Sequence, residues 1–360
     1  MTRLISAKLD WGILGSVGIL VSASLLVLAS SGEDLFIKQL IWLVFAALLM
    51  VGLPFLNLKA LFNYRWLILG IYFFVLALLI VTYLVAPAIH GARSWIVLGP
   101  IQIQPSEFMK AALVILFSSF FATRHVAIAR LGIIAASFLY FFIPAVIVLL
   151  QPDLGSGLVL LGIWLGYLLI SGIPKKYVAI GLVVLILVAA VSWSFLFADY
   201  QKARIVALFK PNTDPLGVNY SVAQSKIAVG SAGFFGKGFG GGTQVQLGFL
   251  PAAQTDFVFA AFVEEWGLVG GLIIIGAFVF LIHRLLKRGR YSSSNMPRFI
   301  VLGTALVLLI HFIVNMGSTL GLLPVIGIGL PFVSYGGSNL LTVAALIGII
   351  QGITEKRAGY

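Results

Sequence analysis

Cysteine is absent from this chain, which excludes disulfides, thiolate nucleophiles and thiolate-based zinc sites. Charge is scarce as well: 9% of residues are Asp, Glu, Lys or Arg, against about 25% in a soluble domain. So few charges cannot cover a water-facing surface, and 61% of the 360 residues are apolar, so most of the chain belongs in lipid. Carboxylates are the rarer charge, 11 against 23 Lys and Arg, for a net charge of +12. No segment matches GxxxxGK[ST], so nothing points to ATP-driven transport. Gly236, Gly238 and Gly241 satisfy GxGxxG formally, but without the strand and βαβ unit that give the pattern meaning it is fortuitous.

What is there is long apolar runs. A span needs about 20 such residues to cross roughly 30 Å of hydrocarbon, and that ruler places ten segments, at 11–30, 37–56, 66–86, 106–123, 131–150, 154–172, 176–197, 257–283, 299–322 and 337–354. The first follows MTRLISAKLDW with no small-residue cleavage site, so it reads as a membrane helix and not a removable signal. Bilayer solvation lets one bundle absorb the whole chain, so residues 1–360 form a single all-α transmembrane domain. Ten spans put both termini on one side. Arg3, Lys8, Lys59, Arg65, Arg124, Arg130, Lys175, Lys176, Arg284, Lys287, Arg288, Arg290, Arg298, Lys356 and Arg357, 15 of the 23 basic residues, fall on the side of the termini. The positive-inside rule makes that side cytoplasmic. The net charge thus reports topology and contact with anionic lipid, and nucleic acid is not an expected partner. Glu33, Asp34, Glu107, Asp153, Asp199, Asp214 and Asp256 collect on the other side, where the two long connections, 87–105 and 198–256, also lie. A loop as long as 198–256 is usually functional, and SVAQSKIAVGSAGFF within it is expected to form a short interfacial or re-entrant helix.

Charge inside a span marks function by default. In QPSEFMK, Pro105 suits the first helical position, which puts Glu107 in the first turn and Lys110 at i+3 on the same face. The pair is either a self-satisfied structural ion pair or the polar wall of an outward-open cavity, and Arg93 and Trp95 just upstream favour the wall. Asp256 is expected at the start of the eighth span, where the helix dipole favours a carboxylate; plain N-capping is the competing reading. Glu264 would lie about 12 Å along that helix and about 80° around it, too far to form the carboxylate pair of a retaining glycosidase. Lys202, Arg204, Lys210, Lys226 and Lys237 interrupt the outward acidity and suit either a phosphate or simple solvation. At 330–339, Pro331, Gly336 and Gly337 permit irregular backbone beside a cavity. Ser334, Tyr335, Ser338 and Asn339 there offer uncharged hydrogen bonds to a sugar, against a plain cap and turn.

Three segments together resemble one family: GARSWIVLGPIQIQPSEFMK at 91–110, GTQVQLGFLPAAQTDFVFAAFVEEWGLVG at 242–270 and LPFVSYGGSNLL at 330–341. They look like the SEDS proteins (shape, elongation, division and sporulation) of bacterial cell-wall synthesis, and more like the RodA-type elongation branch than the FtsW-type division branch. The chain departs from the family pattern at Ala252, Ala253 and Gln254, where members often carry charged or histidine residues.

The resemblance implies a peptidoglycan glycosyltransferase of the bacterial cytoplasmic membrane, with its active site outside. It would polymerise lipid II, with undecaprenyl diphosphate as carrier and a class B penicillin-binding protein of the elongation complex as partner. The family's essential aspartate falls on Asp256, and its pocket residues on Arg93, Trp95, Glu107, Lys110, Asp153, Arg204 and Lys226. A diphosphate leaves readily once its charge is screened, so one base and several cations suffice. On this reading Asp256 takes the proton of the attacking hydroxyl, Lys110, Arg204 or Arg93 holds diphosphate, and Glu107 holds Lys110. A divalent cation, Mg or Mn, would assist with the diphosphate, although no ligand set is legible. Competing readings are a flippase for lipid II, for which Glu264 and Glu265 are the main support, and a scaffold for wall-synthesis partners.

Overall fold

The computed structural model describes residues 9–88, 91–99, 101–196, 199–209, 217, 219–292 and 294–354, with the side chain of Arg204 among the few outside that description. Arg3, Lys8, Lys210, Asp214, Glu355, Lys356 and Arg357 also lie outside the described residues. The fold is an all-α membrane bundle. Helix α1 (Trp11–Ser31) is capped by Asp10, whose carboxylate accepts from the amides of Gly12 and Ile13. Helix α2 (Glu33–Gly52) ends in a 3₁₀ turn carrying Pro54, and the short α3 (Leu58–Phe62) leads into α4 (Arg65–Val85). Strands β1 (Ile96–Leu98) and β2 (Ile101–Ile103) form an antiparallel hairpin with Ile96 opposite Ile103. Then come α5 (Pro105–Arg124), α6 (Leu131–Leu150), α7 (Leu154–Ile170) and α8 (Lys175–Val191), the last closing in a π turn over Ser192–Leu196.

Between α8 and the next long helix lie the three short helices α9 (Asp199–Phe209), α10 (Tyr220–Ser231) and α11 (Thr243–Gln246). Long helices α12 (Val258–Arg290) and α13 (Asn295–Thr319) and the 17-residue α14 (Gly337–Ile353) complete the chain. Eight segments are long and apolar enough to cross a membrane, and α7 and α14 are apolar but shorter, at about the lower end of the 17–25 residues a span uses. Each of these overlaps a segment marked by the hydropathy ruler, and among the described residues eight reach spanning length and composition.

Helix α5 is the axis of the bundle: it packs against α4, α6, α7, α13 and α14, and 67% of its apolar window is buried, against 17% for α2 and none for α8. Its inward side, Met109, Leu113, Phe117 and Phe121, is fully enclosed. Tyr167 of α7 meets it there, with its hydroxyl 2.7 Å from Ser118 Oγ and 3.0 Å from the carbonyls of Val114 and Phe299. At the far end of the bundle Arg284 donates to the Asp10 carboxylate (2.6 Å) and Arg288 to the Thr354 hydroxyl (3.0 Å). Burial acts to raise the Asp10 pKa, but the Arg284 hydrogen bond and charge outweigh it and hold the carboxyl below its ordinary value.

The eighth apolar segment, expected as one continuous helix, is broken. Gly267 has φ 70° and ψ −172°, a region open essentially to glycine alone. The break frees backbone groups that lipid cannot satisfy, and the glycine-rich loop after α10 takes them up. The amides of Lys237 and Gly238 donate to the carbonyls of Glu264 and Glu265 (both 3.0 Å), while the amides of Leu268 and Val269 donate to the carbonyls of Gly233 and Phe234 (3.0 and 3.1 Å). A Cβ at Gly236 would overlap the Glu265 carbonyl, and one at Gly267 the Phe234 carbonyl. The formal GxGxxG is therefore a backbone plug for a helix break, with no nucleotide geometry about it.

Candidate active site

Asp256 lies in the turn over residues 251–257, in which the amides of Thr255 and Phe257 both return to the carbonyl of Ala252. It precedes the cap residue of α12, Phe257, which makes no side-chain capping hydrogen bond, and the helix starts at Val258, one residue after the expected start of the span. The backbone around Asp256 is fixed by three successive carbonyls. Gln254 O accepts from the Tyr335 amide (2.8 Å), Thr255 O from the Ser334 hydroxyl (2.5 Å) and Asp256 O from Asn315 Nδ2 (2.8 Å). Asn315 also donates to the Ile328 carbonyl (2.9 Å), and the Leu330 amide donates to Ser334 Oγ (2.7 Å). The aspartate is held on the 328–335 loop by bonds that leave its side chain half-buried at the surface of that assembly.

The same loop, continued into α14, carries the second half of the site. Ser338 Oγ accepts from the Gln104 amide (2.9 Å), and Asn339 Nδ2 donates to Glu107 Oε2 (2.9 Å). Glu107 Oε1 accepts from Lys110 Nζ (2.7 Å), which lies 3.2 Å from His311 Nε2, and His311 Nδ1 lies 2.9 Å from the Gly329 carbonyl. A carbonyl only accepts and an ammonium only donates, so this ring carries its proton on Nδ1, is neutral, and accepts at Nε2. Lys110 is 2% exposed, so its ammonium lies inside the network and not on a cavity surface. Glu107 and Lys110 thus form a buried ion pair within a cluster that supports the loop next to Asp256. Asp153 caps α7 through Ser156 N (2.9 Å) and also accepts from Gln104 Nε2 (3.0 Å) and the Ser106 hydroxyl (3.4 Å), which ties α5 to α7 at the same level.

Asp256, Glu107, Lys110, Asp153, Ser334 and Ser338 are therefore parts of one hydrogen-bonded assembly. Arg93 and Trp95 sit at its edge: Arg93 is exposed, joined through its amide to the Gln151 carbonyl (3.2 Å), and Trp95 is half-buried before β1. Lys226 is exposed on α10 with its ammonium end against Gly321, and its neighbour Ser225 donates to the Thr319 carbonyl at the end of α13 (2.8 Å). Arg204 belongs to α9, its side chain outside the described residues. The sequence reading missed His311 and Asn315, although both are 1% exposed and stand at i and i+4 in an apolar helix. That spacing puts them on one face, and the rule applied to Glu107 and Lys110 would have flagged them.

Glu264 and Glu265 have a different place. The Glu264 carboxylate accepts from Lys237 Nζ (2.7 Å), the Gln244 amide (3.0 Å) and the Thr243 hydroxyl (3.1 Å). Glu265 is buried against Ser30, Gly240 and Gln246. The Glu264 carboxylate thus serves the loop that plugs the helix break, whereas neither oxygen of the buried Glu265 carboxylate has a hydrogen-bond partner among the described residues. Among the described residues no three of His, Asp and Glu gather to hold a metal ion.

Comparison with known proteins agrees with the motifs. A family model for FtsW, RodA and SpoVE, described as cell cycle protein, matches residues 3–359. The chain is 39% identical over 267 residues, 74% of its own length and 72% of the other's, to the peptidoglycan glycosyltransferase MrdB of Escherichia coli (strain K12). It is similar to a chain in a structure on the coordination of polymerization and crosslinking by a peptidoglycan synthase complex, with TM-score 0.82, 33% identity and 96% and 97% of the two chains covered. The crystal structure of the rod shape determining protein RodA of Thermus thermophilus matches at TM-score 0.70 and 30% identity over 95% of each chain. The resemblance read from the three motifs extends to nearly the whole length, and this multi-pass membrane chain belongs to the FtsW/RodA/SpoVE family of cell cycle proteins.

Proposed function

We propose that this chain is a peptidoglycan glycosyltransferase that polymerises lipid II into glycan strands during cell elongation, with Asp256 as general base. The observation that carries the reading is the anchoring of residues 254–256 by three consecutive carbonyls, two to the 328–335 loop and one to Asn315 of α13, beside α14, whose Asn339 contacts Glu107. A base must be held within hydrogen-bond reach of the proton it removes, and here the backbone that carries the carboxylate is fixed.

In the reaction, the 4-hydroxyl oxygen of lipid II bonds to the anomeric carbon of the growing strand. The bond from that carbon to the diphosphate oxygen breaks, undecaprenyl diphosphate departs, and Asp256 takes the hydroxyl proton. Charge developing on the diphosphate calls for cationic donors, a role that suits the exposed Arg93 and Lys226 and also Arg204. Lys110, enclosed by Glu107 and His311, acts by positioning the loop. Ser334 and Ser338 serve through the backbone they hold, and Trp95 offers an apolar face to a sugar. The described residues do not compose a resident metal site. A magnesium or manganese ion would come with the diphosphate, as such ions commonly do, and no step above depends on it.

The basic ends of the helices, Arg284 and Arg288 among them, lie at the opposite end of the bundle from Asp256. All ten helices cross the bilayer on this reading, with both termini cytoplasmic, the 198–256 connection external and the reaction on the external face. The partner is a class B penicillin-binding protein, a reading supported by the likeness to a chain of a synthase complex that couples polymerization to crosslinking. Flipping of lipid II has less support now that the Glu264 carboxylate is engaged by Lys237, Thr243 and Gln244 at the helix break. The deciding experiment is polymerisation of purified lipid II by the full chain with and without its class B partner. Asp256→Ala is expected to lower the rate by about 10²-fold or more, the contribution of a positioned base; wild-type strand synthesis by that variant would remove the assignment.

A further inference from the structure

At the opposite end of α5 from Glu107 a cavity opens between α3, α4, α5 and α6. It is lined by Arg65 and Arg124, with Asn63 and Ser119 beside them and Ile68 and Leu116 on its apolar floor. Glu107 stands in the first turn of α5 and Arg124 is its last residue, so about 25 Å separates this cavity from the candidate active site at 1.5 Å per residue.

Among the described residues the two cations that share this cavity have no counter-ion. No Asp or Glu occurs between Asp34 and Glu107 or between Glu107 and Asp153, so none of these helices carries an acid at this end. Among the described residues the ion pairs join Lys110 to Glu107, Lys237 to Glu264 and Arg284 to Asp10, and neither arginine of the cavity is in one. The Arg124 guanidinium lies 4.4 Å over the Phe120 ring. That contact uses its face, and its N–H donors radiate in the plane, the geometry that suits a phosphate.

The cavity mouth is at headgroup depth. Tyr64 and Trp66, which flank Arg65, are 68% and 84% exposed, as aromatic residues at the membrane interface are. Helices α4 and α6 are largely unburied within the protein, 28% each, so acyl chains can lie along them directly below. Basic pockets between transmembrane helices bind anionic headgroups for these reasons. We propose that this cavity is a binding site for the phosphate of an acidic phospholipid, held by Arg65 and Arg124, in the leaflet remote from Asp256. That leaflet is cytoplasmic in the orientation given above, but binding itself does not depend on the orientation.

The test uses the delipidated full chain in neutral detergent and measures retained lipid by native mass spectrometry and the shift in thermal midpoint. The probes are phosphatidylglycerol, phosphatidylcholine with the same acyl chains, and inorganic phosphate. Phosphatidylglycerol is expected to bind and raise the midpoint, with phosphatidylcholine at least tenfold weaker. Arg65→Gln/Arg124→Gln should weaken phosphatidylglycerol at least tenfold, while Lys287→Gln/Arg290→Gln, exposed charges elsewhere, should bind as wild type does. Should the double variant not fold, Arg65→Gln alone, at an exposed helix start, is expected to weaken binding several-fold. Equal binding of the two lipids, undiminished binding by the arginine variants, or displacement of the lipid by millimolar inorganic phosphate would each overturn the proposal.

Discussion

Residue by residue, the site is set by how each buried polar atom is satisfied. Lys110 can be 2% exposed because Glu107 and His311 take up two of its three donors and Asn339 donates to the second Glu107 oxygen. A buried charge that loses its partner is strongly destabilising, about 3–5 kcal/mol, while removal of both partners is tolerated better. Lys110→Met is therefore expected to lower stability on that order, and Glu107→Gln/Lys110→Met to recover a measurable part of it, as read from thermal unfolding in detergent. If the double variant were less stable than the single one, Lys110 and Glu107 would not form the coupled unit described here. The sequence identified this pair by its i, i+3 spacing, because both partners are on one helix. It did not identify His311 or Asn315 as partners, because they are separated by some 200 and 59 residues from Lys110 and Asp256 respectively, and such separations carry no local pattern.

Among the elements, α12 departs most from its hydropathy. The apolar run over 257–283 reads as a single helix, yet Gly267 turns the backbone out of helical space, and the loop at 233–238 inserts four hydrogen bonds into the gap. Gly267→Ala would add a Cβ that overlaps the Phe234 carbonyl and would force a residue into a conformation that carries about 1–3 kcal/mol of strain. We expect it to lower the thermal midpoint and polymerisation together. Gly276→Ala, in the same helix with nothing within 4 Å of the new Cβ, is the control and should be neutral or slightly stabilising, by about 0.5–1 kcal/mol. Equal effects of the two substitutions would show that the break does not depend on Gly267. Glycine density signalled irregular backbone in this loop, but its partner strand of backbone, 264–269, was hidden inside an apolar run because hydropathy does not register φ.

For the whole molecule, the arrangement of ends follows from charge. Helices α5 and α14 start at the site end and finish where Arg124 and Thr354 lie, and α1 starts at that same far end with Asp10 bound to Arg284. The chain contains no cysteine, so a single introduced thiol reports its own side of the membrane without background. A thiol at Arg93→Cys is expected to react with an impermeant maleimide in intact cells, and one at Arg290→Cys only after the membrane is opened. The reverse pattern would invert the proposed orientation and put the polymerising site on the cytoplasmic side.

By itself the sequence determined the membrane class and the places of the apolar helices, and it singled out Asp256, Glu107, Lys110 and Asp153, which the fold brings together. Each of these depends on composition or on spacing within one helix, quantities fixed by neighbouring residues. Only the tertiary structure decided that Lys110 is enclosed, that Glu264 braces a broken helix, that His311 and Asn315 join the cluster, and that Arg65 and Arg124 share a cavity. Those facts are contacts between distant parts of the chain, and they exist only once packing has chosen which backbone and side-chain donors must satisfy one another away from water.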